Sequence, residues 1–395
     1  MQENNFSFTT LGEILMKKSL LALAVLGAFA TGAQAQTNVS IGGVVQANLK
    51  SYKVSSTARV ANNELRVDDD YNSRFWLTGT EDLGGGLSAL FYVENRFNTD
   101  QRQSTGGATG AGLADGDTFV GLKGGFGQVT VGKHSWMSVQ GLAAEFVSAS
   151  GNLVSMPTSM TATYSIMNQG GGYLDITRRV NSITYRTPVI SGFNGAFGVS
   201  TASAGAEGVI GGGNQYNDGR EYYLQGGYNN GPLSLSLAYR DFTAEGRAAG
   251  ATDDSQLRFT GSYKFGGFKV GLIADRAKRE AVGGGDSSRT AWSIPVSYAF
   301  GNSTILASVT KAGDLSLGHA GLAAVAGANT GAKMYTLGYD HALSKRTNVG
   351  VFYSRLDNDA RGIYQPFLAG TSFTGSGLLA GETASTFALG VKHTF

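Results

Sequence analysis

The chain of 395 residues has no cysteine and only 5 prolines. That rules out a disulfide scaffold and a thiolate metal site. Charged residues make up 15% of the sequence, below the ~25% of an average soluble domain. No run approaches the ~20 apolar residues of a membrane-spanning helix, except one stretch near the N-terminus. A formal net charge of +2, evenly spread, gives no footprint for nucleic acid. No Pro/Ser-rich linker or change of texture marks a domain boundary. What is abundant is glycine, at 59 residues, and a monotonous alternation of residue types.

The apolar stretch near the N-terminus reads as an export signal. Lys17 and Lys18 form a basic n-region, and Leu20 to Ala30 form an apolar segment too short to span a bilayer. Ala33-Gln34-Ala35 is a small-x-small cleavage site. Residues 16–35 are thus expected to be a signal peptide, with 36–395 as the mature chain. Met16 is the expected start, and 1–15 a non-native extension.

Beyond Gln36 the period is two. Leu233, Leu235, Leu237 and Tyr239 alternate with Ser234, Ser236, Ala238 and Arg240, and Phe387, Leu389, Val391, His393 and Phe395 with Ala388, Gly390, Lys392 and Thr394. This is the pattern of half-buried strands. Seven short turns recur, at Glu81–Gly86, Gly124–Gly127, Ile190–Gly195, Asn229–Pro232, Phe265–Gly267, Phe300–Asn302 and Leu343–Arg346. Eight long polar stretches alternate with them, over 51–72, 98–116, 136–177, 202–218, 243–254, 278–288, 313–332 and 357–384. These connections predict 16 strands with both chain ends on the short-turn side.

One face of these strands is apolar; the other is mostly Ser, Thr, Gly, Lys and Arg. A soluble sandwich or propeller would bury bulky residues on its inner face instead. The fold class implied is all-β: a transmembrane antiparallel β-barrel of 16 strands, with long external loops and short periplasmic turns. Backbone groups cannot stay unpaired in lipid, so the sheet must close. Sixteen strands leave an aqueous channel rather than a filled interior. Tyr222, Tyr223, Tyr228, Tyr239, Tyr263, Tyr298 and Tyr353 read as interfacial girdles. The terminal Phe395 sits on the lipid-facing parity of the last strand.

Four stretches carry a resemblance: Ser73-Arg74-Phe75-Trp76-Leu77-Thr78-Gly79-Thr80-Glu81-Asp82-Leu83-Gly84-Gly85-Gly86-Leu87, Val120-Gly121-Leu122-Lys123-Gly124-Gly125-Phe126-Gly127, Arg179-Val180-Asn181-Ser182-Ile183-Thr184-Tyr185, and Gly390-Val391-Lys392-His393-Thr394-Phe395. The chain resembles the general porins of Gram-negative bacteria, most closely those of β-proteobacteria (Burkholderia-, Bordetella- and Neisseria-like), over essentially all of 36–395. The resemblance implies an outer-membrane homotrimer passing small hydrophilic solutes and inorganic ions, without catalysis or cofactor. Its other partners would be outer-membrane lipid and lipopolysaccharide. It makes Phe395 an insertion signal for the outer-membrane assembly machinery, and 136–177 the loop that constricts each pore.

In that loop Ala144-Glu145-Phe146 is similar to the acidic element of many general porins. Only Glu145 and Asp175 are acidic there, whereas strongly cation-selective relatives carry a richer cluster. Alternation about Phe75 and Leu77 turns Arg74 inward with Trp76, Thr78 and Thr80; alternation about Phe91 and Val93 turns Glu94 and Arg96 inward. Lys133 and Arg179 match two further basic wall positions of the family. Parity opposes both: Val129 and Val131 facing lipid put Lys133 outward unless a bulge intervenes, and Ile183 and Tyr185 favour Arg178 over Arg179. Both arginines stay candidates for the pore constriction, with Arg74, Arg96, Lys133 and Glu145. Arg240, Arg258, Lys264, Lys269, Lys311 and Arg355 also lie in strands and are expected to face the lumen, since charge in mid-membrane on the lipid face costs roughly 2–4 kcal/mol. Anion preference is the expectation.

Asp68-Asp69-Asp70 is a weak Ca²⁺ candidate, and Asp253-Asp254 another, each weighed against a solvated acidic loop. His134, His319, His341 and His393 have no metal-site spacing. The rival functions are a substrate-specific channel and an outer-membrane barrel enzyme.

Overall fold

The structure, a computed structural model, describes residues 38–55, 63–68, 73–97, 99, 113–136, 179–201, 219–243, 252–281, 285–316, 327–364 and 378–395. The expected signal peptide and its extension lie outside these residues. So does nearly all of the expected constriction loop.

The first half of the chain builds β1 (Asn38–Val54), β2 (Asn63–Asp68), β3 (Arg74–Gly84), β4 (Leu87–Arg96), β5 (Thr118–Gly124), β6 (Gly127–His134), β7 (Arg179–Arg186) and β8 (Phe193–Ser200). The second half builds β9 (Arg220–Asn230), β10 (Leu233–Thr243), β11 (Thr252–Phe265), β12 (Phe268–Ala281), β13 (Asp286–Phe300), β14 (Ser303–Ala312), β15 (Ala332–Ala342), β16 (Thr347–Asn358) and β17 (Thr383–Thr394). Sequence neighbours pair antiparallel, and β17 returns to pair with β1 from Val44↔Thr394 to Val54↔Ala384. β2 and β3 share one place beside β1: β2 pairs with its outer half and β3 with its inner half. The 17 segments therefore make a closed barrel of 16 staves, as the turn count requires.

Every expected short turn joins two antiparallel staves. Gly231, Gly266 and Gly301 take φ of 55°, 56° and 54°, the left-handed region that two-residue hairpins need and glycine tolerates best. Between turns the parity holds except where a bulge intervenes. In β10, Leu235, Leu237 and Tyr239 face outward while Ser236, Ala238 and Arg240 pair with inward Gly227, Gln225 and Tyr223. The exposed large apolar side chains of the staves lie on this outer face, which the bilayer covers. Toward the turn end, aromatic rings on β8–β9 and β11–β13 meet as parts of a girdle. Phe193 and Tyr228 lie 4.5 Å apart, Phe265 and Phe268 5.5 Å, Phe268 and Tyr298 4.4 Å, and Tyr298 and Phe300 5.6 Å. Tyr228, Tyr263 and Tyr298 thus sit in a girdle as expected. Tyr223 instead faces inward, buried.

Three expected loops are partly strand. β1 runs on to Val54 and β2 fills 63–68 of the first loop; β11 begins at Thr252; β12 and β13 extend to Ala281 and back to Asp286. The polar composition that suggested loops has another cause. These staves rise beyond the lipid, where both faces are wet, so pairing continues after the alternation of hydropathy has ended. Asp254 shows it: it is a buried, inward strand residue paired with Arg279 rather than a solvated loop carboxylate.

The seam between β1 and β17 is sealed by the last residue. Phe395 and Gly43 exchange backbone hydrogen bonds of 3.0 and 3.1 Å, and the Phe395 ring covers the outer face of Gly43, where a β-carbon would collide with it.

Candidate functional site: the inward wall

The inner half of β1 sets the reference: Val44 pairs with Arg74 across the β1–β3 ladder, and both lie inward. Arg74 then pairs with Arg96, and Trp76 with Glu94, across β3–β4. The four side chains share one face, and Glu94 holds the arginines together. Its Oε1 lies 2.6 Å from Arg96 Nε and its Oε2 3.7 Å from Arg74 Nε, while Tyr92 donates its hydroxyl to Oε2 at 3.1 Å. Two guanidiniums share the Glu94 carboxylate, while the Asp115 carboxylate accepts the Arg96 backbone N–H at 2.7 Å and that of Asp117 accepts the Ser135 hydroxyl. Arg74 also lies 6.0 Å from the Trp76 ring, whose space is made by Gly42 on the neighbouring stave.

Lys133 departs from the wall. It pairs with Thr118 on the outward parity, and its ammonium donates to the Ala114 carbonyl at 2.6 Å. The inward residue is its neighbour His134, buried between Thr130 and Ser182 at 2.9 and 2.7 Å. The conflict over Arg179 is settled by a bulge. Gly132 pairs with Ser182 but His134 pairs with Arg179, so β7 carries one extra residue there, and Asn181 adopts φ 48°. A single extra residue reverses parity. Arg179 therefore takes the register position opposite inward His134, despite Ile183 and Tyr185 facing lipid. Glu145 and Arg178 lie outside the described residues.

The chain leaves β6 against the inner wall. Trp136 is buried, donates its indole N–H to Thr184 Oγ1 at 2.8 Å, and stacks on Tyr223 with ring centres 5.6 Å apart. Gly198 makes the space for it, since a β-carbon there would sit 2.5 Å from the indole.

Opposite β3 and β4, β9 to β13 form a second charged wall at which the sequence pattern only hints. Arg240 pairs with Glu221 at 3.4 Å, Arg258 with Asp275 at 3.0 Å, and Arg279 with Asp254 at 2.8 Å, while Arg289 donates to Tyr364 at 2.8 Å. Four arginines meet three carboxylates, so this wall is cationic. Such buried pairs are costly to break, because the abandoned partner stays desolvated. Lys264 and Lys269 also face inward, as expected. Lys311 and Arg355 do not: Lys311 pairs with outward Trp292 and Lys333, and Arg355 with outward Tyr335. Both sit at the outer ends of their staves, where the lipid penalty no longer fixes direction. Arg186 and Lys123, inward and exposed, were missed; strict parity from Thr184 and from Gly121 would have found them.

Asp68 ends β2 opposite Asn48, and Asp69 and Asp70 lie outside the described residues. Phe395 closes the seam described above; its expected role as an assembly signal is separate from that contact.

A sequence profile described as Gram-negative porin matches residues 22–361. Outer membrane porin protein 32 of Delftia acidovorans is 33% identical over 390 residues, covering 96% of this chain and 100% of that one. Among solved structures, the anion-selective porin from Comamonas acidovorans superposes with a TM-score of 0.70 at 26% identity, over 91% of this chain and 100% of that one. OmpT of Vibrio cholerae, an outer membrane protein solved in a trimer form, shares the fold with a TM-score of 0.58 at 13% identity, over 91% of this chain and 99% of its own.

Proposed function

The chain belongs to the Gram-negative porin family, outer-membrane proteins that form a channel for small hydrophilic solutes, and we propose that its pore prefers anions. One observation carries this reading: the inward wall along β9 to β13 keeps an excess of guanidinium over carboxylate, with Arg240, Arg258, Arg279 and Arg289 against Glu221, Asp254 and Asp275. In an aqueous gap with low-dielectric walls, fixed charges focus their field on the passing ion. Basic lining lowers the barrier for anions and raises it for cations. The Comamonas acidovorans neighbour, itself an anion-selective porin, supports the same sign of selectivity.

Four further assignments belong to the proposal. The segment 136–177 narrows the channel, with Glu145 facing the basic wall; the inward anchoring of Trp136 at its start supports this. Residues 16–35 are a cleaved signal peptide, preceded by a non-native extension. Phe395 serves barrel assembly. The protein works as a homotrimer without catalysis, following the trimer form of the Vibrio cholerae neighbour.

The test is a reversal potential across planar bilayers in a KCl gradient. Chloride preference is expected, weakened by Arg74→Ala with Arg179→Ala; potassium preference overturns the proposal. Saturating block by a single solute would replace the general pore with a dedicated one. Hydrolytic activity in the pure protein would overturn the non-catalytic assignment.

A further inference from the structure

The channel reading places selectivity midway along the barrel, yet the turn-side mouth carries a separate set of cations. Lys123 on β5, Arg186 on β7, Lys264 on β11, Lys269 on β12 and Lys392 on β17 occupy inward register positions within a few residues of the short turns. Lys123, Arg186 and Lys264 are exposed, and Lys269 and Lys392 half-exposed. On the same inward end, among the described residues, stand the carboxylates of Asp82 and Asp340. Asp82 is turned to the backbone N–H of Gly84, and Asp340 accepts from Asn348 and stands near the Lys392 ammonium.

Two registers are telling. Lys264 and Lys269 stand directly opposite each other across the β11–β12 hairpin, on one face. Like charges so placed repel. Lys123 and Arg186 flank Gln128 in a single cross-strand row, Lys123↔Gln128↔Arg186. Beside Lys123 the wall hollows into a recess of about 470 Å³ lined by Thr78, Thr80, Ser88 and Tyr92. Hydroxyl, amide and ammonium donors thus share this recess with the apolar rings of Phe91 and Phe119.

We propose that this periplasmic collar is a second anion site, built for multivalent anions such as phosphate esters or polycarboxylates. It loads the pore from the inner side independently of the constriction. A monovalent ion gains little from a single cation at a wide mouth, whereas a multivalent anion engages both members of the Lys264–Lys269 pair or of the Lys123–Arg186 row. The inference rests on the channel reading, and its consequence is sidedness: polyanions entering from the turn side bind, and those from the loop side must first pass the constriction.

The experiment uses inorganic tripolyphosphate as the probe on single reconstituted channels in symmetric KCl. Gly125→Cys in the β5–β6 turn, where a side chain meets open space, supplies the only thiol of the chain. An impermeant thiol reagent then reports which face each channel presents. Half-block is expected at a concentration about tenfold lower from the turn side than from the loop side, given such focusing. Arg186→Gln with Lys264→Gln and Lys269→Gln should bring the two sides together. Arg74→Ala should leave the sidedness in place. Equal block from both faces of the unmodified channel overturns the collar while sparing the channel reading, and that measurement needs no folded variant beyond the turn cysteine. Sidedness that survives the triple substitution overturns it as well. Membranes without conductance would sink both readings.

Discussion

Glu94 is the carboxylate that Arg74 and Arg96 share, so its neutralisation makes a prediction opposite in sign to that of removing an arginine. Glu94→Gln keeps the shape and the Tyr92 contact but strips one negative charge from the wall. For an ion passing at about 7 Å in a water-like dielectric, one charge is worth roughly 0.6 kcal/mol. Screening at 0.1 M salt halves this to about 0.3 kcal/mol. The added potential favours chloride and disfavours potassium alike, so the permeability ratio should rise about threefold toward the anion, each 1.4 kcal/mol being tenfold. Reversal potentials in a tenfold KCl gradient read this directly, and the effect should fade at 1 M salt, where the screening length is ~3 Å. An unchanged ratio, or a shift toward potassium, would refute the idea that this cluster faces the conducting path. Folded protein on unheated gels should be retained.

Three other substitutions test the architecture. Gly121→Ala sets a β-carbon against the Val129 carbonyl oxygen, a backbone atom that cannot swing away, and should cost about 1–3 kcal/mol of stability by urea titration, against no change if that ladder is looser. Leu237→Arg puts a charge on the lipid face between the turn-side girdle and Tyr239, and should cost roughly 2–4 kcal/mol in folding from urea into bilayers; a neutral result would place that face in water. Arg258→Ala strands Asp275 in a buried site and should cost about 3–5 kcal/mol, while the double change with Asp275→Ala recovers much of it; additive losses in that cycle would show the pair is not coupled.

The stave number was legible because each hairpin carries its own marks, as at Phe265–Gly267 and Phe300–Asn302, where the left-handed glycine and the flanking aromatics coincide. The inward facing of Arg74, Glu94 and Arg96 was legible because their neighbours Phe75, Leu77, Phe91 and Val93 declare the lipid side. Lys311, Arg355 and Tyr223 were misjudged for a common reason. Charge was taken as a sign of the lumen and an aromatic ring as a sign of the interface, but at stave ends both faces tolerate either, and parity alone decides. Arg179 could not be read by parity either, since one extra residue at Asn181 inverts it. An asparagine in a left-handed conformation leaves little trace in a sequence that holds so many turn-formers.

The pairing of residues 44–54 with 384–394 means that the first stave waits for the last. A chain cut short before Thr383 would not make a smaller pore: it would present two ragged edges of unpaired amides and carbonyls, which a bilayer rejects and which invite aggregation. Synthesis and export must therefore finish before insertion can, and any premature stop late in the gene acts as a complete loss. The contact at Gly43 and Phe395 is in this sense a latch that engages only when the first and last staves are both in place.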